Sequence, residues 1–393
     1  MKVLLCHTYY QQRGGEDRSF EEERELLTAG GHEVIEFVRS NDELQSHSAL
    51  RAAGVTIWNR QAAREIKQLI QQHRPEVVHL TNTFPLLSPA VLRAAHGQGA
   101  AVVQALRNYR LLCANACLVR AGSPCEKCLG RTIPWPAVVH GCYRDSAAAS
   151  GVVASMQVLH RLLGTWRNKV DAYFTLTEFA RQKFIDGGYP AERIHVKHNS
   201  VYPDPGPRPS EADYLVLVGR LSQEKGIATV LEAWAANPSL PPLRIAGDGP
   251  LAELVRNAQQ QDRRIEWLGH LDREQLYDLI GNARALLMPS IWYETFGRTI
   301  AEAFAVGTPV IASRLGAMAE LVRDEQTGLL FEPGNPADLA QKITHFQGLS
   351  NDAVSKMSRT AREAYDGHFT AEQNYQRLLE IYQLAQQQVS QQP

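Results

Sequence analysis

Short apolar blocks alternate with longer stretches of helical periodicity along almost the whole chain. Lys2–His7 is such a block, Glu16–Ala29 is a helix-period stretch that stops at Gly30-Gly31, and His32–Val38 is the next block. Further blocks fall at Val77–Thr81, Ala101–Leu106, Ala172–Thr177 and Ile194–His198. Strand-length apolar blocks separated by helices predict a parallel sheet covered on both faces. The alternation stops at Val201-Tyr-Pro-Asp-Pro-Gly-Pro-Arg-Pro-Ser210, whose prolines can continue neither element, so a linker is expected over 201–213. It restarts with strands expected at Tyr214–Gly219, Leu243–Ala246, Ile265–Leu268, Ala285–Met288, Pro309–Ala312 and Gly328–Phe331. The expected fold class is α/β, with two Rossmann-like doubly wound domains over 1–200 and 214–370. Their carboxyl strand ends would face a central cleft, where open α/β sheets take their ligands. The tail, 371–393, carries Tyr375, Leu378, Leu379, Ile381, Tyr382 and Leu384 at a helical spacing that suits packing back onto the first domain.

With 393 residues, 44% hydrophobic and 21% charged, the chain has the make-up of a soluble globular protein with room for two cores or three. Its formal net charge of −1 gives no broad basic footprint, so nucleic acid is not an expected partner. The apolar start Met1–His7 is too short for a signal segment, and polar Gln11, Gln12 and Arg13 follow at once. No apolar run is long enough to span a bilayer, and a cytoplasmic location is expected.

The densest candidate chemistry lies in Ser290-Ile-Trp-Tyr-Glu294-Thr-Phe-Gly297-Arg-Thr-Ile-Ala-Glu302, where a loop runs into a helix and carries two glutamates. That placement can offer one carboxylate to each of two hydroxyl-rich groups. Gly219-Arg220-Leu-Ser222-Gln-Glu-Lys225-Gly226 follows the first strand of the second domain. Arg220 can reach a diphosphate as a fork and Lys225 as a point charge, with helix N-terminal amides behind them. In the absence of an Asp-x-Asp motif, these cations can replace a divalent metal. Gly247-Asp-Gly249-Pro250 is a tight strand-to-helix turn that lets backbone approach a ligand, and Leu268 ends the next strand where a base edge can meet backbone groups. In the first domain Gly14-Gly15-Glu16 precedes a helix and can admit a phosphate. For any of these segments alone, a plain turn or a solvated side chain explains the residues as well.

In combination, Gly14-Gly15-Glu16, Gly219-Arg220-x4-Lys225-Gly226, Gly247-x-Gly249-Pro250 and Glu294-x7-Glu302 resemble the GT-B retaining glycosyltransferases of family 4. Gly307-Thr-Pro309-Val-Ile-Ala-Ser313 matches what usually follows the paired glutamates in that family. The resemblance implies a nucleoside-diphosphate sugar donor bound by 214–370, an acceptor bound by 1–200, and chemistry without a catalytic divalent metal. It implies that Glu302 holds the donor ribose and that Glu294 meets hydroxyls of the transferred sugar. Gly219, Ser222, Phe296, Gly297, Arg298 and Thr299 would line the donor, while Arg220 and Lys225 neutralise the departing diphosphate. The acceptor would be a glycan, a lipid-linked sugar or another glycoside.

The chain departs from the family after Val102–Leu106, where a histidine common in the family is replaced by Arg107-Asn108. Arg107 is expected to supply charge near the diphosphate or acceptor, and it cannot serve as a base. Asn108, His7 and His79 are expected on the acceptor side, with a structural role open for each histidine. Five of the six cysteines fall in an insertion over 110–145: Cys113, Cys117, Cys125, Cys128 and Cys142. A Cys-x2-Cys pair with further thiols nearby suits structural zinc, with Cys113, Cys125, Cys128 and Cys142 as the expected ligands and Cys117 as the alternative. An iron–sulfur cluster, redox-sensitive thiols and unligated cysteines remain open. The stretch Ser155–Lys169 mixes apolar and basic residues and reads either as a core helix with a basic end or as a peripheral membrane contact. A non-catalytic sugar-nucleotide sensor, an epimerase and a phosphorylase are the alternative functions. Oligomeric state, sugar, base and acceptor are not legible.

Overall fold

The computed structural model describes residues 1–208 and 213–391, so 209–212 of the expected linker lie outside the described residues. The chain divides into two compact units. The first comprises Met1–Leu118, Cys125–Lys197 and the chain from Asn374 onward, and the second comprises Val119–Pro124 and His198–Gln373.

The strands in chain order are β1 (Lys2–Tyr9), β2 (Glu33–Ser40), β3 (Val77–Leu80), β4 (Ala101–Leu106), β5 (Val119–Arg120), β6 (Ser123–Pro124), β7 (Ala172–Thr175) and β8 (Ile194–Val196). In the first unit they form one parallel six-stranded sheet, ordered β2-β1-β3-β4-β7-β8. Helices cover both faces, which is why β1, β3, β4 and β7 are apolar runs with no polar alternation. The strand order reverses between β1 and β3, so the loops after these two strands open a crevice at the carboxyl edge. The helix Gly15–Ala29 that follows β1 turns Phe20, Glu23 and Leu27 inward, two apolar residues and one charge on a single face. Between β4 and β7 the chain forms the small β5–β6 hairpin and the short helix Trp135–Val139, neither of which was expected.

The second unit continues with β9 (Leu215–Val218), β10 (Leu243–Ala246), β11 (Ile265–Gly269), β12 (Ala285–Met288), β13 (Val310–Ser313) and β14 (Gly328–Phe331). These six strands are parallel in the order β11-β10-β9-β12-β13-β14. Leu217 of β9 stands between Ile245 of β10 and Leu287 of β12, and Trp234, Phe331 and Phe346 complete the core beneath them. The strand order reverses between β9 and β12.

The proline-rich stretch is not a free tether where it is described. Val201 N donates to Phe369 O (3.0 Å), Arg208 N donates to Val306 O (3.0 Å), and Arg362 binds the Asp204 carboxylate (2.6 Å), which lays 201–208 along the second unit. The tail forms the helix Ala371–Ser390. It is anchored in the first unit by Tyr382 Oη at 2.8 Å from His79 Nδ1 and by Tyr375 Oη at 2.8 Å from His32 Nε2. Gly30 leaves room for Tyr375, since a Cβ there would lie 2.1 Å from the phenol oxygen. Among the described residues no helix is long and apolar enough to cross a membrane.

Candidate functional site

The loops after β9 and β12 meet at the switch point of the second sheet and are stitched together. Ile291 N donates to Glu224 O (2.9 Å), and Gly226 lies so close to Pro289 that a Cβ would sit 1.9 Å from its carbonyl oxygen. Gly226 also has φ of +70°, a region that favours glycine. The contact brings Lys225 to the paired-glutamate segment. Lys225 Nζ lies 2.6 Å from Glu294 Oε1, and Ser290 Oγ donates to the same oxygen at 2.7 Å. The ammonium also lies 5.4 Å from the centroid of the Trp292 ring, a cation–π geometry that adds to its restraint. Glu294 and Glu302 are both buried.

Gly297 caps the helix Arg298–Ala305 in the left-handed conformation, and this turn carries Glu302 inward from the loop. Arg298 Nε lies 3.5 Å from Glu302 Oε1, one helical turn away. Phe296 packs its ring against Phe369 (5.7 Å between centroids) and His198 (5.9 Å), so its side chain belongs to the core and its backbone to the site. Thr299 lies against the Met288 sulfur, with Oγ1 3.4 Å from Sδ. Arg220 is exposed after β9, and Ser222 donates its hydroxyl to Glu224. Gly247 packs on the Gly219 carbonyl, where a Cβ would approach to 1.9 Å, and Gly249 packs on Leu221. Leu268 is half-buried at the end of β11, and Gly247 N donates to Gly269 O (2.7 Å). The sequence-expected donor residues are thus gathered at one sheet edge, with Lys225 held by Glu294 rather than standing as an isolated charge.

In the first unit His7 is fully buried at the β1 end. Its Nε2 lies 2.8 Å from Asp17 Oδ1, its Nδ1 lies 2.6 Å from Thr81 Oγ1, and its ring stacks on Phe20 (4.6 Å). Asp17 also accepts from Gly14 N (3.0 Å), which ties down the loop that ends at the glycine pair. A Cβ on Gly14 or Gly15 would meet no protein atom within 4 Å, so the fold itself does not demand either glycine. Glu16 follows, half-buried, accepting from Asn108 Nδ2 (2.8 Å) and Tyr10 Oη (3.2 Å). Burial holds the Glu16 carboxyl above its usual pKa, against the Asn108 hydrogen bond.

Arg107 and His79 are tied into the interior of the first unit. Both are buried in an ion cluster of the first unit. Glu23 Oε1 accepts from Arg107 Nη2 (2.7 Å) and from Lys197 Nζ (2.5 Å), while His79 Nε2 lies 4.0 Å from Glu23 Oε2. Burial works to raise the Glu23 pKa, but Arg107, Lys197 and His79 together hold it at about 2. Burial pulls His79 down to about 4 against the attraction of Glu23. The Arg107 guanidinium therefore serves the core, and His79 anchors the tail helix through Tyr382.

A profile of the glycosyl transferases group 1 matches residues 201–367, and one of a glycosyl transferase 4-like domain matches residues 14–200. The chain thus carries a glycosyl transferase 4-like domain followed by a glycosyl transferases group 1 domain. It is 33% identical over 177 residues to glycogen synthase of Mycobacterium tuberculosis, a match covering 42% of this chain and 40% of that protein. This chain therefore aligns with well under two thirds of that relative's length. Among solved structures, a glycosyltransferase from Rickettsia africae superposes with a TM-score of 0.71 at 18% identity, covering 100% of this chain and 99% of that one. HepE from Anabaena, solved with UDP-glucose, gives 0.67 at 16% identity, covering 97% and 98%. At these identities the likeness shows the shared two-domain GT-B fold.

Within this transferase fold the expected metal knot does not form. Among the described residues no group of three or more His, Cys, Asp or Glu side chains is arranged to hold a metal ion, and none of the six cysteines is in a disulfide. Cys113 donates to Asn115 Oδ1 (3.0 Å). Burial, followed by the neighbouring Cys113, Cys142 and Cys125, pushes the Cys128 thiol up to about 11. Cys113 is raised by burial as well. Cys113, Cys142 and Cys125 thus neighbour Cys128, while no arrangement among the described residues supports the expected zinc or iron–sulfur ligation by Cys113, Cys125, Cys128, Cys142 or Cys117. Sequence reading missed Asp17, Glu23 and Lys197. The only hint was Glu23 itself, a charge in register with Phe20 and Leu27 on the inner helix face.

Proposed function

We propose that the protein moves a sugar from a nucleoside-diphosphate sugar to a hydroxyl of a glycan, lipid-linked sugar or other glycoside, with retention at the anomeric carbon. The observation that carries this reading is the stitched β9–β12 loop pair, which couples Lys225 to Glu294 and leads into the helix Arg298–Ala305 with Glu302 one turn inside it. Glu302 accepts from the ribose diol. Both protein hydrogen bonds to Glu294 end on Oε1, so Oε2 is the oxygen available to the hydroxyls of the transferred sugar. Arg220 and Lys225 stabilise the diphosphate as charge develops on it. The second unit holds the donor and the first holds the acceptor, with His7 positioning the Gly14–Gly15 loop through Asp17. The openness around the two glycines supports close backbone approach to an anion.

In the reaction the bond from the anomeric carbon to the phosphate oxygen breaks while a bond to the acceptor oxygen forms on the same face. The acceptor proton passes to the departing phosphate, so no protein base is required, and catalysis is positioning and electrostatic stabilisation. Glu294 is bound to Lys225 and Ser290, which suits holding hydroxyls better than the paired acid and base of glycoside hydrolysis.

UDP-glucose is the first donor to test, because HepE was crystallised with it. A donor at about 100 times its Kd stabilises the native protein by about 2.7 kcal/mol, which a thermal-shift screen reads directly. Glu302→Ala should abolish the shift. A donor that binds without being turned over with any acceptor would favour the sensor reading instead.

A further inference from the structure

Nine large hydrophobic side chains are exposed among the described residues, and five of them, Ile133, Trp135, Val139, Leu162 and Leu163, fall within one short stretch of the first unit. Single exposed apolar residues are ordinary, whereas a contiguous group marks an interaction surface. These residues are brought together by the fold. The helix Trp135–Val139 packs on the helix Ala147–Leu162, and Trp135 and Val139 lie one turn apart on its outer face. Arg161 donates to the carbonyls of Arg131 and Thr132, fastening the turn that carries Ile133 to the helix end that carries Leu162. Arg93 Nη1 donates to Leu163 O (2.9 Å), and the Arg131 guanidinium stands 5.9 Å from the Trp135 ring centroid. Leu50, 87% exposed, projects from the helix Ala49–Ile57, which packs on the same long helix.

The charge around this group is one-sided. From Lys127 to Lys169 there are six basic residues, Lys127, Arg131, Arg144, Arg161, Arg167 and Lys169, against the single acid Asp145, in a chain whose net charge is −1. The inner face of the long helix, with Val153, Met156 and His160, is buried, so the core-helix reading of 155–169 holds for that face and leaves its apolar end unaccounted for.

We propose that this face of the first unit docks on an anionic lipid surface. Ile133, Trp135, Val139 and Leu162 enter the boundary between headgroups and acyl chains, and Arg93, Arg131 and Arg161 meet lipid phosphates at its rim. The apolar cluster supplies the burial, a tryptophan suits an interface with one wet side, and the arginines select charge. The inference stands apart from the transferase reading, since it uses none of the donor residues and its test measures no turnover.

Flotation of the full chain with phosphatidylcholine vesicles, and with the same vesicles containing phosphatidylglycerol, tests it. Binding should be confined to the anionic vesicles, fall with salt, and weaken about tenfold or more in Trp135→Ser/Leu162→Ser. Arg131→Glu should cost about fivefold or more. Vesicles should also shift tryptophan emission to shorter wavelength, and Trp135→Phe should remove that shift while leaving the melting profile intact. Equal binding to both vesicle types, no binding, or undiminished binding by the serine variant overturns the proposal. So does a change in oligomeric state of the serine variant without vesicles, which would make the face an interface between copies.

Discussion

Replacing Glu23 by alanine removes the carboxylate that Arg107 and Lys197 share deep in the first unit. Both cations stay buried, and each loses its charge-assisted hydrogen bond at 2.7 and 2.5 Å. Breaking such a pair from one side costs about 3–5 kcal/mol, because the remaining charge has neither water nor a counter-ion. The loss should fall on the first unit, so a global melt would blur it with the second. Hydrogen exchange read by mass spectrometry separates the two. Peptides covering β1, β3 and β4 should exchange roughly 10²- to 10⁴-fold faster in Glu23→Ala, while peptides covering β9 and β12 stay unchanged. The combined variant Glu23→Met, Arg107→Leu, Lys197→Met should recover most of the protection, since an apolar replacement of the whole cluster leaves no charge stranded. If Glu23→Ala alters protection in the first unit by less than about fivefold, equivalent to ~1 kcal/mol, the cluster does not hold that unit's core together.

The same cluster sets an acid limit on stability. His79 is held at about 4 against an ordinary 6.5, so the unfolded chain binds more protons between these values and stability is lost as pH falls through that window. Glu23, held at about 2 against 4.5, adds stability that is present above pH 4.5 and lost below it. The exchange protection of the first unit should therefore decline steadily below about pH 6.5, and His79→Phe should flatten the upper part of that decline. Gly226→Ala should push the β9 loop off Pro289 and abolish donor-induced thermal shifts, whereas Gly15→Ala should fold normally and lower turnover alone. In a double-mutant cycle, Lys225→Met and Glu294→Gln should show a coupling of about 0.5–3 kcal/mol in kcat/KM, and strict additivity would deny that the pair acts together.

Much of the architecture was legible because buried parallel strands are written as continuous apolar runs. Ala101–Leu106, Leu243–Ala246, Ala285–Met288 and Gly328–Phe331 stand as read, and the others shift at their ends by a residue or two. The hairpin at 119–124 escaped because two-residue strands carry no periodicity. The loops after β9 and β12 could be singled out because their polar residues are close in the chain, with Arg220 near Lys225 and Glu294 near Glu302. Contacts between distant segments could not. Glu23, Arg107 and Lys197 come from three separate elements, and nothing local marks Arg107 as a core residue. His79 was placed at a strand end, but its neighbour Tyr382 lies far off in the tail helix. The thiols stood out as a group by spacing, but their arrangement depends on the fold of 110–145, which spacing does not encode. The Lys225–Glu294 pair joins segments that were each singled out, yet their direct contact depends on Gly226 yielding to the Pro289 carbonyl.

The central claim is tested most directly by incubating the protein with UDP-glucose and a panel of hydroxyl acceptors and following release of the nucleoside diphosphate together with the anomeric configuration of the product by NMR. The account predicts acceptor-dependent release with the donor's configuration kept. Glu302→Ala should raise the donor KM strongly, and Glu294→Ala should chiefly lower kcat. An inverted product, or near-wild-type kinetics in both variants, would contradict it.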